Sequence, residues 1–258
     1  MFPCFTIAFK ETRDHVRDTR SLLSAAMYAL MGPVVILLVS QSPLVARGGD
    51  RLLLSMMSVF TLVSAFTGGM FIALDSTAGE RERGSLVPLL LNPVSRMHLI
   101  VGKWIAVAVF ALAGLALNLT AFTAVFEWRG IDLPSHIKLV FRLWIVAGLV
   151  PLTLFGAALD LLTGATSRTT KDGHTRLSLV MLVPMMVGMF LVFFPSWIGR
   201  WWFAVPVVGQ QALIGTGLRG EAVPLWQAGA LALLTIATAL AALWAAARAL
   251  SRDEAVVA

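Results

Sequence analysis

The sequence predicts an all-α, multi-pass membrane protein. It has six transmembrane helices, an N-terminal interfacial helix, a short cytoplasmic helix between the second and third spans, and an external re-entrant hairpin. Three observations predict it. Of 258 residues, 58% are hydrophobic and 13% charged, with a mean hydropathy of +0.84; a soluble domain carries ~25% charged residues and could not cover its surface with this composition. The charges are spaced so that six runs of 17 to 26 uncharged residues lie between them, against the ~20 apolar residues that a helix needs to cross a bilayer. Lys and Arg fall 13 on one side and 7 on the other, and the richer side is the cytoplasmic one, which puts both termini inside. The runs are continuous and do not alternate, which excludes a β-barrel.

Residues 1–20 form the interfacial helix. Phe2, Phe5, Phe9, Thr12 and Val16 step by three and four and share one helix face. Lys10, Glu11, Arg13, Asp14, Arg17 and Asp18 fill the rest, with Lys10–Asp14 and Asp14–Arg17 spaced to pair. Such a helix lies along the inner leaflet. Its charged face suits anchorage of the first span or a cytoplasmic partner, and composition does not separate the two. Charges this dense exclude a cleavable signal peptide, so the first span is an uncleaved anchor.

Residues 21–250 carry the six spans, in the runs Arg20–Arg47, Arg51–Asp75, Lys103–Glu127, Arg142–Asp160, Arg176–Arg200 and Glu221–Arg248, of which the fourth is the shortest. Asn118, inside the third span, is expected to bond to a neighbouring helix. A further uncharged run between Arg200 and Arg219 is broken and wetted by Pro206, Gly209, Gln210, Gln211, Gly215 and Gly217. It reads as a re-entrant hairpin over residues 197–220, because broken helix is tolerated only where it packs on protein. Trp197, Trp201 and Trp202 suit an interfacial belt beside it. Residues 251–258 are a cytoplasmic tail.

The connection over residues 76–97 is the most informative stretch. Glu80, Arg81, Glu82 and Arg83 alternate in sign. Gly84-Ser85 breaks one helix and caps the next, and Pro88 suits that helix's first turn. Leu86, Leu89 and Leu90 give it an apolar face, and Asn92-Pro93 stops it. A greasy face with no lipid beside it calls for a protein partner.

The run from Ala73 to Arg96, strongest over Ala78–Arg83 and followed by Gly102-Lys103, resembles the signature of the ABC type-2 exporter permeases, most of all their sodium-extrusion (NatB-like) branch. Other stretches agree: Lys10-Glu11 with Arg17-Asp18 and Arg20; Lys171-Asp172 ahead of Leu182-Val183-Pro184-Met185; and Ile198 to Glu221, with Pro206, Gly209-Gln210 and Arg219-Gly220-Glu221. The resemblance covers residues 9 to 250. Asp172-Gly173 departs from the family's Glu-Ala, and the first external loop, Gln41 to Arg51, is short where some members carry a large domain.

The resemblance implies a half-transporter in the bacterial inner membrane. Two copies, as a homodimer or a heterodimer with a sister permease, would form the pathway, and each would dock an ABC ATPase subunit. Glu80, Arg81, Glu82, Arg83, Gly84, Ser85, Leu86, Leu89 and Leu90 would form the coupling helix. Lys10, Glu11, Arg17 and Asp18 would belong to the interfacial helix, and Pro206, Gly209, Gln210, Arg219 and Glu221 to an external gate. The expected function is outward transport of an ion, drug-like or lipid-like substrate by alternating access. The chain has no G-x-x-x-x-G-K-[ST] phosphate cradle, so it is expected to be no enzyme and to bind no cofactor, with ATP-Mg on the partner. The alternatives are a non-transporting anchor or mechanical transducer that recruits an ATPase, and an ion-coupled secondary transporter driven by Asp75 or Asp160.

Those two acids are expected at the cytoplasmic ends of the second and fourth spans, as ion ligands or as partners of Arg81, Arg83 or Arg168. On that placement the span interiors carry no charge, which favours an amphipathic or lipid-like cargo over a hydrated ion. Gly215 to Gly220 spells G-x-G-x-x-G, but no strand precedes it, so it reads as a chain reversal. One cysteine, Cys4, and four scattered histidines predict no disulfide and no metal site. The net charge of +6 then belongs to loops beside membrane lipids and not to a nucleic-acid surface.

Overall fold

The computed structural model describes residues 3–42, 50–86, 88, 94–130, 148–194, 197, 199, 201, 204–218 and 223–257. In chain order these form α1 (Pro3–Arg17), α2 (Thr19–Val39), α3 (Asp50–Thr67) and α4 (Met70–Leu74). A π-helical turn, Asp75–Gly79, leads into α5 (Glu80–Glu82). Then come α6 (Arg96–Trp128), α7 (Val150–Thr166), α8 (Thr170–Phe193), α9 (Val208–Leu218) and α10 (Leu225–Val257). Among the described residues, five helical segments are long and apolar enough to cross a membrane: α2, the composite Leu52–Glu82, α6, α8 and the α10 stretch Leu225–Ser251. α7 is a shorter apolar helix; its 17 residues span ~25 Å, close to the ~30 Å hydrocarbon core. The chain is a multi-pass, all-helical membrane protein.

The composite second span, Leu52–Glu82, is the central helix: 83% of its apolar window is buried, against 22% for α2 and for α8. Small residues let its neighbours close in. Gly68 abuts Ala111 of α6, and Gly156 and Gly164 of α7 abut Ala65–Phe66 and Ala73–Thr77. Without a hydrophobic force between helices in lipid, such close backbone approach supplies the packing energy. Ala157, Ala158 and Ala165 of α7 share one buried cluster with Ala239, Ala242 and Ala246 of α10. α2 is held to α6 by Asn118, whose Nδ2 donates to the Ala29 carbonyl at 2.8 Å.

α1 ends at Arg17, and Asp18 caps the next helix, accepting from the N–H groups of Arg20 and Ser21 at 3.2 and 3.1 Å. Asp18 therefore belongs to the start of the first span. Phe5, Phe9 and Val16 are exposed along one face of α1, as a lipid-facing stripe requires, and Phe2 lies outside the described residues. Lys10 and Arg17 are exposed, but Glu11 turns inward and is buried with Ala8 and His15.

At the end of the bundle opposite α1, α9 is buried on nearly every side. The glutamines that make this stretch look wet turn into the protein and bond there, although Gln211 Oε1 has no hydrogen-bond partner among the described residues. Gln210 accepts from the Val207 N–H at 2.6 Å and donates to Thr235 Oγ1 at 2.7 Å; Gln211 donates to Ser58 Oγ at 2.9 Å. Gly209 and Gln210, two residues of the expected external gate, are thus buried, and Gln210 ties α9 to Thr235 of α10. Pro206 is half-buried ahead of them. Arg219 and Glu221 lie outside the described residues.

Candidate functional site

The helix of the second span does not stop at Asp75. It widens into the π-turn and runs on to Glu82. The extra residue in a π-turn rotates everything beyond it by ~100° about the axis. It ends in a glycine cap: Gly84, at φ +70°, donates to the Arg81 carbonyl at 3.1 Å, and the Ser85 N–H donates to the Glu80 carbonyl at 3.0 Å. This pair of bonds is the Schellman ending, which needs a residue that tolerates the left-handed conformation.

Glu80, Arg81, Glu82 and Arg83 consequently sit on a helical end and project ~100° apart. Each reaches a different element. Glu80 accepts from Lys103 Nζ of α6 at 2.8 Å. Arg81 donates to the carbonyls of Ala165, at 2.9 Å, and Ser167 at the end of α7. Glu82 accepts from the N–H and hydroxyl of Thr170 at the start of α8, at 3.1 and 2.9 Å. Arg83 folds back on the π-turn, donating to Asp75 Oδ1 at 2.7 Å and to the Asp75 carbonyl at 3.1 Å. Three of these side chains tie three neighbouring helices to the central one, and the fourth braces its π-turn.

Lys103 extends the tie to α1. Its side chain is 1% exposed and also donates to Glu11 Oε1 at 3.3 Å. α1 can lie this close because Gly102 precedes Lys103: a Cβ there would stand 2.8 Å from Ile7 Cβ and 2.9 Å from the Cys4 carbonyl oxygen. One buried cation thus faces two carboxylates, and Glu80 Oε2 has no hydrogen-bond partner among the described residues. On its other side Glu11 lies 3.9 Å from His15 Nε2. Burial pushes the His15 imidazole below its ordinary value, so it is neutral at pH 7 and does not balance the excess acid. Ser21 Oγ donates to Asp18 at 2.7 Å and therefore accepts from His15 Nδ1 at 3.1 Å. That chain links α1 to the cap of α2.

His15 sets a pH dependence with a definite sign. Its docked value lies below the 6.5 of the free group, so an undocked α1 binds the proton more readily. Docking is complete above about pH 6.5 and weakens as pH falls towards the docked value. Hydrogen exchange over residues 3–17, corrected for intrinsic rates, is expected to accelerate below about pH 6.5 in the wild type and to lose that dependence in His15→Gln. An unchanged profile in the variant would refute the assignment.

The alternating charges were expected on a separate partner-facing helix reaching to Leu90. Instead Glu80 and Arg81 point into the bundle, and Leu86, 5% exposed, packs in the core between α4, α6, α7 and α10. Glu82, Arg83, Gly84, Ser85 and Pro88 are exposed; Leu89 and Leu90 lie outside the described residues. The sequence flagged Lys103 only as part of a signature, and it missed Glu11's inward turn, His15, Thr170 and the carbonyls of Ala165 and Ser167. Glu11 and Lys103 show why: they lie 92 residues apart, and only packing joins them. The local signals were the i,i+4 spacing of Glu11 and His15 and a lysine with no acid four residues away on its own helix.

Asp75 lines an open cleft of ≈ 440 Å³ with Phe71, Leu74, Gly79, Glu82, Arg83, Thr170 and His174. It is paired to Arg83, as one of its two expected roles required. Asp160 is different. It lies inside α7, six residues before that helix ends, and is fully buried. It is neither interfacial nor paired with Arg81, Arg83 or Arg168: neither oxygen has a hydrogen-bond partner among the described residues. The expectation that the span interiors carry no charged group fails at this residue, because α7 runs past the charge that was taken as its boundary.

A family profile described as "ABC-2 family transporter protein" matches residues 5–255. The chain is also 33% identical over 193 residues to the ABC transporter permease protein NatB of Bacillus subtilis (strain 168), an alignment covering 69% of this chain and 48% of that protein. The chain spans about half the length of the curated relative it matches.

Proposed function

The chain belongs to the ABC-2 family of transporter proteins, and from that premise we propose that it is the permease subunit of an ATP-driven exporter. In this reading the end bearing α1 and Glu80–Arg83 faces the cytoplasm of a bacterial cell, with both termini inside. It docks an ABC ATPase subunit, which holds ATP-Mg, and a second permease copy or a sister permease completes the pathway. The cargo moves outward by alternating access.

The observation that carries the reading is the hub formed by Glu80, Arg81, Glu82 and Arg83. An element meant to transmit a push must be rigid at its base and exposed at its tip. Here Glu80 and Arg81 lock the base to α6 and α7, and Glu82 to Ser85 form the exposed tip. A displacement at the tip acts directly on the central span, and through Lys103 on α1.

The test measures ATPase rate and transport together in reconstituted permease–ATPase complexes. Glu82→Ala removes the link to Thr170. Gly84→Pro removes the bond to the Arg81 carbonyl and forbids φ +70°. Both are expected to lower transport per ATP hydrolysed by about 5- to 150-fold, the range of ordinary coupling energies, while the permease still folds. Wild-type coupling in both variants would overturn the hub's role. ATPase stimulation in the wild type with no cargo moved would instead indicate a mechanical transducer.

A further inference from the structure

Two hydroxyls of the central span depart from their neighbours on the same helix. A helical Ser or Thr can satisfy its hydroxyl on a carbonyl of the preceding turn. Ser58 donates in this way to the Ser55 carbonyl at 2.7 Å, and Thr67 to the Val63 carbonyl at 3.2 Å. Thr61 and Ser64, between them in the chain, do not. They are 1% and 2% exposed, and neither oxygen has a hydrogen-bond partner among the described residues. A third atom of this kind is Oδ1 of Asn118 on α6. Asn118 is wholly buried, and its Nδ2 is engaged on the Ala29 carbonyl while Oδ1 is unpartnered among the described residues. Polar atoms left unbonded at this depth in a membrane protein are expensive.

Helix register brings the three together. The central span and α6 run antiparallel and are pinned at two levels. At one, Gly68 abuts Ala111; at the other, Phe60 and Phe122 both stand against Gly32 of α2. Thr61 and Ser64 fall between these levels on the central span, and Asn118 falls between them on α6. Ser64 is four residues from Gly68 and Thr61 is seven, so both share the face that Gly68 turns to α6. Asn118 is seven residues from Ala111 and shares the face that Ala111 turns back. The level is near mid-membrane, because Ala29 is the central residue of α2, Thr19–Val39. There is room beside it: a Cβ on Gly114, one turn from Asn118, would meet only the Cα of Gly68, at 3.5 Å. A fourth unpartnered atom, Gln211 Oε1, belongs to the carboxamide that donates to Ser58, one turn before Thr61.

We propose that Thr61, Ser64 and Asn118 bind a cluster of water molecules, which makes the crossing of the first three spans a hydrated joint extending towards Gln211. The polar set suits water. Two hydroxyls both give and accept, the amide oxygen only accepts, and none of the three side chains carries a charge. A buried water typically makes about three hydrogen bonds to polar groups that otherwise have none, which is the number of atoms gathered here. The site goes beyond the permease reading and does not depend on it.

The experiment uses the full chain in lipid nanodiscs without an ATPase. X-ray hydroxyl-radical labelling, read by mass spectrometry, reports water held beside buried side chains. Met57, four residues from Thr61, and Phe122, four from Asn118, are the reporters; they are 2% and 1% exposed, so bulk water does not reach them. Both are expected to be labelled in the wild type and to lose the label in the Thr61→Val, Ser64→Ala double variant. Thermal midpoints give a second reading. Each single substitution is expected to lower the midpoint, and the double variant to lower it by less than the sum, because one cluster serves both hydroxyls. A dry contact would give the opposite. Removing an unpartnered hydroxyl would then leave the midpoint unchanged or raise it, and Met57 and Phe122 would stay unlabelled. A loss on Ser64→Ala alone, again without labelling, would mean a direct bond from that hydroxyl to Asn118. Either result would overturn the proposal and leave the permease reading standing.

Discussion

Lys103→Met is expected to destabilise the bundle by about 3–5 kcal/mol, the usual penalty for stranding buried charges without their partner. Lys103 is enclosed, and it is the cation on which both Glu11 and Glu80 converge. Removing it leaves two carboxylates near each other in a low-dielectric setting. The variant Lys103→Met with Glu11→Gln and Glu80→Gln is expected to recover most of the loss, because a buried ion triad can be replaced by neutral groups at little net cost. Unfolding midpoints in detergent micelles separate the cases: a stable single variant would show that the triad holds nothing together. If the triad also transmits motion, the recovered triple variant regains stability but not ATPase-coupled transport.

Gly102→Leu is expected to lift α1 off α6 while the rest of the bundle stays folded. A side chain there collides with Ile7 and with the Cys4 carbonyl, and a backbone atom cannot rotate aside. Overpacking of this kind typically costs 1–3 kcal/mol or more, and α1 can relieve it by leaving. Hydrogen exchange over residues 3–17 is expected to rise sharply, with little change in α6. Gly229→Ala is the control: a Cβ there meets nothing within 4 Å, and it should stabilise α10 by about 0.5–1 kcal/mol through helix propensity. Equal protection of α1 in wild type and Gly102→Leu would show that close packing at Gly102 does not hold the interfacial helix.

Both expectations concern contacts that the sequence did not disclose. Lys103 lies 92 residues from Glu11 and 23 from Glu80, and no local pattern pairs them. The alternating Glu80–Arg83 block was legible as important, but its geometry was not. A charged run after a hydrophobic span reads as a solvated loop unless a π-turn carries the helix onward. That turn, at Asp75–Gly79, depends on packing against α7, where Gly164 makes room for Thr77. Asp160 was misplaced for a related reason. Counting spans between charges assumes that charges mark the ends of helices, and a buried acid inside a helix breaks the assumption.

Composition and local pattern were enough for the multi-pass helical architecture, the amphipathic N-terminal helix and the family, though not for where the second and fourth spans end. These rest on composition, on apolar run length and on local motifs, which act within one helix and need no neighbour. Only the tertiary structure decided which charges serve as joints, which acid is buried and which glycines are contacts. Those outcomes depend on which helix faces which across the bundle. In a membrane, where apolar side chains are equally content against lipid or protein, that choice is made by close backbone approach and by scarce polar pairs: Gly102 beneath α1, Gly156 and Gly164 beside the central span, and Lys103 between its two acids.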